Sequence, residues 1–248
     1  MALVDSFEKS GNWLFRYRGQ IPVALFIAAV PVVYFTDTSF LSRASENIIT
    51  IISISISLLG FVIRAISIGT TPAGTSGRNT REGQVAEALN TKGIYSMVRH
   101  PLYLGNYFMW IGIVLFTFNF SFVVIVSLLF WLYYERIMFA EERFLEKKFG
   151  DTYMNWARKT PSFIPCFRKF VKNELPLSFK SILKREYSGV LATVVGFVFI
   201  DDLRRYFETG QFEPDTSAHW VLGITIILVL ILRSLKHYTQ VFKEEGRS

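Results

Sequence analysis

Apolar residues run along this chain in long blocks, parted by short polar or basic stretches rather than woven into the polar faces of a soluble helical protein. Six blocks stand out: Ile21–Phe35, Asn47–Gly69, Pro101–Phe118, Phe120–Phe139, Gly189–Ile200 and Trp220–Leu232. Crossing a hydrocarbon core takes about 17–25 helical residues. The pattern therefore predicts an all-α, polytopic membrane bundle of about six transmembrane helices. Pro22 falls in the first turn of its block, and Pro31 predicts a kink. The third and fourth blocks meet at Asn119, a connection so short that they must form an antiparallel hairpin. The fifth is short and has to borrow Leu203, Tyr206 and Phe207, or thin the bilayer around it. Ahead of them, residues 1–20 scatter Asp5, Glu8, Lys9, Arg16 and Arg18 among Trp13, Phe15 and Tyr17. That mixture predicts a helix lying in the membrane interface rather than a cleaved signal.

Composition agrees with a membrane setting: 51% of the 248 residues are hydrophobic, and 24 are phenylalanine. Charge adds an orientation. If the N-terminus is cytoplasmic, the external segments are residues 36–46, Asn119 and residues 201–219, and only Arg43, Arg204 and Arg205 of the 27 Lys and Arg lie there. By the positive-inside rule both termini are then cytoplasmic. The net charge of +7 fits anionic headgroups better than nucleic acid. Four regions follow: the interfacial helix 1–20, a first transmembrane pair 21–69, a core 70–187 with two cytoplasmic loops around the hairpin, and a C-terminal pair with a tail, 188–248. In the first loop, glycine and threonine precede a short helix expected at Glu82–Leu89; the second loop, 140–187, is strongly basic. Cys166 is a single cysteine and there are three histidines, so neither a disulfide nor a metal centre is expected. No phosphate-binding glycine loop and no nucleophile elbow occurs.

The stretch GIYSMVRHPLYLGNYFMW, Gly93–Trp110, holds the first candidate chemistry. Proline is favoured at the first position of a helix. Pro101 therefore makes His100 the cap and leaves the backbone N–H groups of Leu102, Tyr103 and Leu104 at the helix start. Such an end attracts anions; Arg99 adds a full charge, and Gly105 leaves room for a ligand or a neighbouring backbone. The same residues also fit an Arg-His pair snorkelling to headgroups. A second cluster closes the fourth block, where Glu141 and Glu142 oppose the helix dipole. Neither has a basic residue three or four positions away in a continuous helix. The hairpin returns both acids to the membrane face that holds Arg99 and His100. An anion cradle and a carboxylate pair thus converge, unless lysines of the basic loop fold back to neutralise the acids.

GIYSMVRHPLYLG followed by EERFLEKKFGDTYMNWARKTPSFIP resembles the membrane methyltransferases grouped with isoprenylcysteine carboxyl methyltransferase and the phospholipid methyltransferases. Arg99, His100, Pro101, Tyr103 and Gly105 match the first part of their shared pattern; Glu141, Glu142, Leu145, Phe149, Gly150, Tyr153 and Pro165 match the second. The resemblance covers residues 93–165 and implies S-adenosylmethionine as methyl donor, bound on the cytoplasmic side. In that reading Arg99 and His100 are catalytic. The cradle of Arg99, His100, Leu102, Tyr103, Leu104 and Gly105 takes the methionyl carboxylate, Glu141 or Glu142 the ribose hydroxyls or the amine. Tyr95, Tyr103 and Tyr153 face the adenine or the sulfonium.

An anionic oxygen acceptor needs no general base, whereas an amine must first lose a proton; few histidines and many arginines favour the former. The longer stretches TSGRNTREGQVAEALNTKGIYSMVRHPLYLGN and WARKTPSFIP resemble a bacterial branch that includes lipid A phosphate methyltransferases. That resemblance implies a lipid partner in a bacterial inner membrane, with Arg78, Asn79, Arg136 and Arg158 as candidates to hold a sugar phosphate. Two other functions fit the same architecture: an NADPH-dependent reductase of sterol-like lipids and a lipid-binding membrane protein without catalysis.

Overall fold

A computed structural model describes residues 2–20, 23–75, 78–80 and 83–247, with residues 78–80 and 83–85 described in their backbone alone. Among the described residues eight α-helices form in chain order: α1 Leu3–Arg16, α2 Val23–Tyr34, α3 Arg43–Gly69, α4 Pro101–Leu115, α5 Phe120–Phe149, α6 Asp151–Ala157, α7 Phe179–Thr209 and α8 Thr216–Tyr238. The result is a membrane helix bundle, as the apolar blocks predicted. Three helices, α3, α5 and α8, are long and apolar enough to cross a membrane. The remaining blocks depart from the expected lengths for identifiable reasons. The α4 helix stops at Leu115, about 22 Å from its start, because Phe118 turns the chain at a positive φ of 60°. Pro31 is accommodated within α2. The block expected at Gly189–Ile200 is the middle of the 31-residue α7, whose flanks carry charge. In the loop between α3 and α4 the backbone of Arg78–Thr80 pairs with that of Gly83–Val85 in antiparallel register, in place of the helix expected at Glu82–Leu89; Glu82 itself lies outside the described residues.

Small residues set the bundle's tightest contact. On α3, Ser53, Ser57 and Gly60 are buried at helical spacing and face α4. A Cβ on Gly112 would come within 2.2 Å of Ser57 Oγ and 2.4 Å of Ser53 O, and one on Gly60 within 2.5 Å of the Gly105 carbonyl. Between these points Ser57 Oγ donates to the Met109 carbonyl at 2.8 Å. Small side chains of this kind let backbones approach where lipid offers no hydrophobic drive to association. The α4–α5 turn is pinned by Asn119, whose Oδ1 accepts from the Phe122 N–H at 2.8 Å and whose Nδ2 donates to Thr36 Oγ1 at 2.9 Å. At that end Arg205 pairs with Asp201 and Asp215, His219 with Asp202, and the Arg204 guanidinium lies 3.6 Å from the centre of the Phe118 ring.

The opposite end is assembled from loops. Backbone bonds from Arg99 N–H to Pro161 O (2.9 Å), His100 N–H to Ser162 O (3.2 Å) and Cys166 N–H to Met97 O (3.0 Å) lay the basic loop across the start of α4. Gly93, at φ 60°, passes so close to Asn173 that no Cβ fits. The C-terminal tail closes onto this layer: Ala73 N–H donates to Gly246 O at 2.8 Å and Arg247 Nη1 to Gly69 O at 2.5 Å. The α1 helix lies along α5, with Gly11 against the Arg136 backbone and Phe15 buried. Gly112→Val should therefore prise α3 from α4 and destabilise the bundle by about 1–3 kcal/mol or more. Fluorescence-detected size exclusion after heating measures this; a melting profile equal to the parent's would show the contact to be slack.

Candidate functional site

The elements at the loop-covered end bring the two charged clusters together. His100 caps α4 without a side-chain bond to its own backbone, and its ring turns instead to α5. His100 Nε2 lies 2.8 Å from Glu142 Oε1, and Nδ1 lies 3.6 Å from Glu141 Oε2. Arg99 Nη1 reaches Glu142 Oε2 at 3.1 Å, and Tyr103 Oη donates to Glu141 Oε2 at 2.9 Å. Because α5 runs unbroken to Phe149, the acids lack partners on their own helix, as their spacing implied, and they draw them from the start of α4. No lysine of the basic loop neutralises them among the described residues. The His100 ring stacks on Tyr103, with centroids 5.6 Å apart and planes at 17°.

These residues border a cavity of about 300 Å³, within the range of small-molecule sites. Its lining includes Tyr95, Arg99, His100, Leu102, Tyr103, Glu141 and Tyr153, seven of the residues singled out from the sequence. Glu142 stands behind the wall and orients Arg99 and His100. Leu104 and Gly105 serve differently. The Leu104 N–H is taken by the His100 carbonyl at 3.1 Å, which leaves Leu102 and Tyr103 as the helix-start donors without intrahelical partners. Gly105 is a packing position, its missing Cβ replaced by the Arg64 side chain at 2.5 Å.

Arg136 faces α1, donating to Ser10 Oγ at 3.3 Å with its guanidinium 4.4 Å from the centre of the Phe7 ring. Arg158 is exposed after α6 and does not line the cavity. The side chains of Arg78 and Asn79 lie outside the described residues. The sequence reading missed Arg64, Asn106, Tyr134 and Glu186, which form one network across four helices. Arg64 on α3 pairs with Glu186 on α7 through Nε (2.7 Å) and Nη2 (2.5 Å), and its Nη1 donates to Asn106 Oδ1 at 2.6 Å. Asn106 Nδ2 then donates to Tyr134 Oη at 3.0 Å. An arginine inside the apolar run of α3 was the available signal, since ionisable groups within spans pair and serve function.

Three buried donors at this cavity have no hydrogen-bond partner: Arg99 Nε, Trp156 Nε1 and Tyr153 Oη, the last close to Glu142 without hydrogen-bond geometry. Buried polar groups are nearly always satisfied, so three of them on residues that line one cavity mark a place built for an acceptor-bearing ligand. Burial opposes charge on His100, yet its bonds to the carboxylates of Glu141 and Glu142 outweigh that penalty and hold its pKa above the ordinary histidine value. Burial, with the charge of Glu141, pushes the Tyr95 hydroxyl up to about 12, keeping it a neutral donor. Among the described residues no group of three His, Cys, Asp or Glu could hold a metal.

Fold and site together define an integral membrane helix bundle with a polar cavity cut into one end. Residues 48–152, which carry α3 to α5 and the charged clusters, match the family described as phospholipid methyltransferase. A protein-S-isoprenylcysteine O-methyltransferase of Schizosaccharomyces pombe is 40% identical over 78 residues, 31% of this chain and 33% of that protein. The enzyme of that name from Tribolium castaneum is 28% identical over 142 residues, 56% of this chain and 50% of its own. A nickel-cobalt-cadmium resistance protein, NccN of Alcaligenes xylosoxydans xylosoxydans, is 27% identical over 159 residues, 64% of this chain and 70% of its own. The chain thus spans from about a third to 70% of these relatives. No solved structure matches it. Over residues 48–152 the chain is thus similar to the phospholipid methyltransferase family.

The raised pKa of His100 makes a signed prediction. Its charged form contributes stability that is complete below the unfolded value of about 6.5 and is lost as pH climbs through the higher folded value. The melting temperature of the parent should exceed that of His100→Gln most below the ordinary histidine value of about 6.5, and the gap should narrow as pH rises above it. A gap independent of pH would show that the ring is held neutral.

Proposed function

We propose that this protein is an S-adenosylmethionine-dependent O-methyltransferase of a membrane lipid head group, with its active site at the cytoplasmic face of a bacterial inner membrane. The observation that supports it most is the set of unsatisfied donors of Arg99, Trp156 and Tyr153 in a cavity that Glu141 also lines. A zwitterionic amino-acid end matches that polarity. Arg99 and the N–H groups of Leu102 and Tyr103 take the carboxylate, and Glu141 takes the amine or a ribose hydroxyl. The rings of Tyr95, Tyr103, Tyr153 and Trp156 suit a purine and a sulfonium. The family of residues 48–152 supports a methyl-transfer reaction in the same direction.

Bound S-adenosylmethionine would supply an electrophilic methyl whose carbon an anionic oxygen would attack in line, the O–CH3 bond forming as the S–CH3 bond breaks and its electron pair stays with the departing sulfur. Such an acceptor has no proton to lose. The chain's own residues then orient and desolvate rather than act as a base, which agrees with a His100 held by two carboxylates. A lipid A phosphate is the acceptor that the bacterial resemblance favours. Both termini, the loop-covered site and 24 of the 27 Lys and Arg fall on the cytoplasmic side in this orientation. The six-helix count and the regions 1–20, 21–69, 70–187 and 188–248 belong to the same proposal.

Purified protein should bind S-adenosylhomocysteine, and Arg99→Ala should weaken that binding by at least about tenfold, the cost of a lost charge-assisted hydrogen bond. Isothermal titration in detergent measures it; equal affinity in parent and variant would overturn the donor site. Incubation with methyl-labelled S-adenosylmethionine and total bacterial membrane lipid, read by mass spectrometry, should add one methyl to a phosphorylated glycolipid.

A further inference from the structure

Two features outside the polar cavity face the surroundings of the bundle. One is a second, mainly apolar cavity of about 520 Å³, whose rim includes the exposed Val23 and Ala192 and which shares Arg18, Arg64, Asn106, Tyr134 and Arg185 with the first. The other is the loop after α6, residues 160–172, TPSFIPCFRKFVK. It holds no acidic residue, and Arg168, Lys169 and Lys172 are all exposed. Lys169 Nζ donates to the Lys159 carbonyl, and none of the three has an ion pair among the described residues. Beside them Ile164 is 79% exposed and Phe167 76%, with Phe170 and Val171 half-exposed. Single apolar side chains are ordinary on a surface. A cluster of them set among three cations marks an interaction site.

The depth of the loop decides what covers this patch. Arg99 N–H and His100 N–H donate to the carbonyls of Pro161 and Ser162, so the loop backbone lies level with the start of α4. From there the Phe163 ring reaches into the apolar zone, 5.4 Å between centroids from the Trp131 ring and 6.1 Å from the Tyr107 ring. Trp131 stands eight residues before Phe139, about 12 Å inside the end of its apolar block. It is itself 46% exposed, on a helix long and apolar enough to cross a membrane. A loop seated on that flank borders lipid rather than bulk water. Irregular backbone tolerates such a place only where its polar groups are satisfied. Pro161 and Pro165 have no N–H to satisfy, the carbonyls of Pro161 and Ser162 are taken, and Cys166 N–H donates to Met97 O.

We infer that residues 161–172 form a lipid-surface site. Ile164, Phe167 and Phe170 enter the boundary between head groups and acyl chains, and Arg168, Lys169 and Lys172 take the phosphates of anionic lipids in the leaflet on the site's side. Aromatic rings and basic side chains divide in this way at membrane interfaces, and each cation near an anionic surface adds attraction. The loop is bonded through its backbone to Arg99 and His100, so a leaflet held here sets the height of the polar cavity against the head groups. The site is independent of which cofactor that cavity takes.

Cys166, the single cysteine of the chain, lies in the loop and supplies the reporter. The full chain, labelled there with bimane, is placed in nanodiscs of phosphatidylcholine and phosphatidylglycerol. Lipids brominated high on the acyl chain should quench the label more than aqueous iodide does. Phe167→Cys in a Cys166→Ser chain should report the same, which guards against a label that disturbs the Cys166 position. In native mass spectrometry Arg168→Gln and Lys172→Gln should each lower the preference for phosphatidylglycerol over phosphatidylcholine by about fivefold. A label reached by iodide and not by bromine would put the loop in water, and a label shielded from both would put it against a second copy of the chain. Either result, or basic-residue variants with an unchanged lipid preference, would overturn the inference.

Discussion

Two carboxylates placed near the negative end of a long helix are unstable alone, and much of the site follows from how Glu141 and Glu142 are satisfied. They sit beyond the apolar run of α5, too far from Lys147 and Lys148 for a contact along one face. The chain answers them from the neighbouring helix, with His100 between the two, Arg99 on one and Tyr103 on the other. That arrangement requires α4 to begin where α5 leaves the membrane. Only a short hairpin secures this, which is why the pinned turn at Asn119, on the far side of the bundle, matters to the site.

Close packing carries the same requirement to α3. With Gly60, Gly105 and Gly112 at the α3–α4 seam, the helices touch backbone to backbone, and Arg64 is brought against Asn106 one turn from the start of α4. A larger residue at Gly105 would collide with the Arg64 stem itself. Seam and buried ion pair are therefore one construction: the small residues create the depth, and Arg64 with Glu186 ties α3 to α7 across it. Breaking such a pair by removing one partner leaves a buried charge without compensation, so this polar crosslink fixes the spacing of both chambers.

Much of this was legible in the chain because it is local. Long apolar blocks, a proline at a helix start and acids without i±3 or i±4 partners state their own needs, and these placed the hairpin and brought Arg99 and His100 near Glu141 and Glu142, though not their direct pairing. What was not legible depends on contacts between distant segments. Arg136 reads as a free cation until α1 is seen to lie on it, with Ser10 and the Phe7 ring as its neighbours. The stretch from Arg78 reads as a loop leading into a helix, yet the backbone of Arg78–Thr80 pairs with that of Gly83–Val85. Glu186 is one acid in a basic stretch, and nothing local marks it as the partner of an arginine 122 residues away.

The sharing of residues between the two cavities constrains any reaction that uses both. Arg18, Arg64 and Arg185 present positive charge to each chamber, while Glu141 reaches only the polar one. The polar chamber also carries Arg99, His100 and Glu186, so it presents both signs of charge, as a zwitterion requires, whereas no carboxylate lines the apolar one among the described residues. Charges fixed before a ligand arrives act strongly where water is excluded. The segment after α1 takes part in that field through Arg18, so the N-terminal region contributes to the electrostatics of the site as well as to packing on α5.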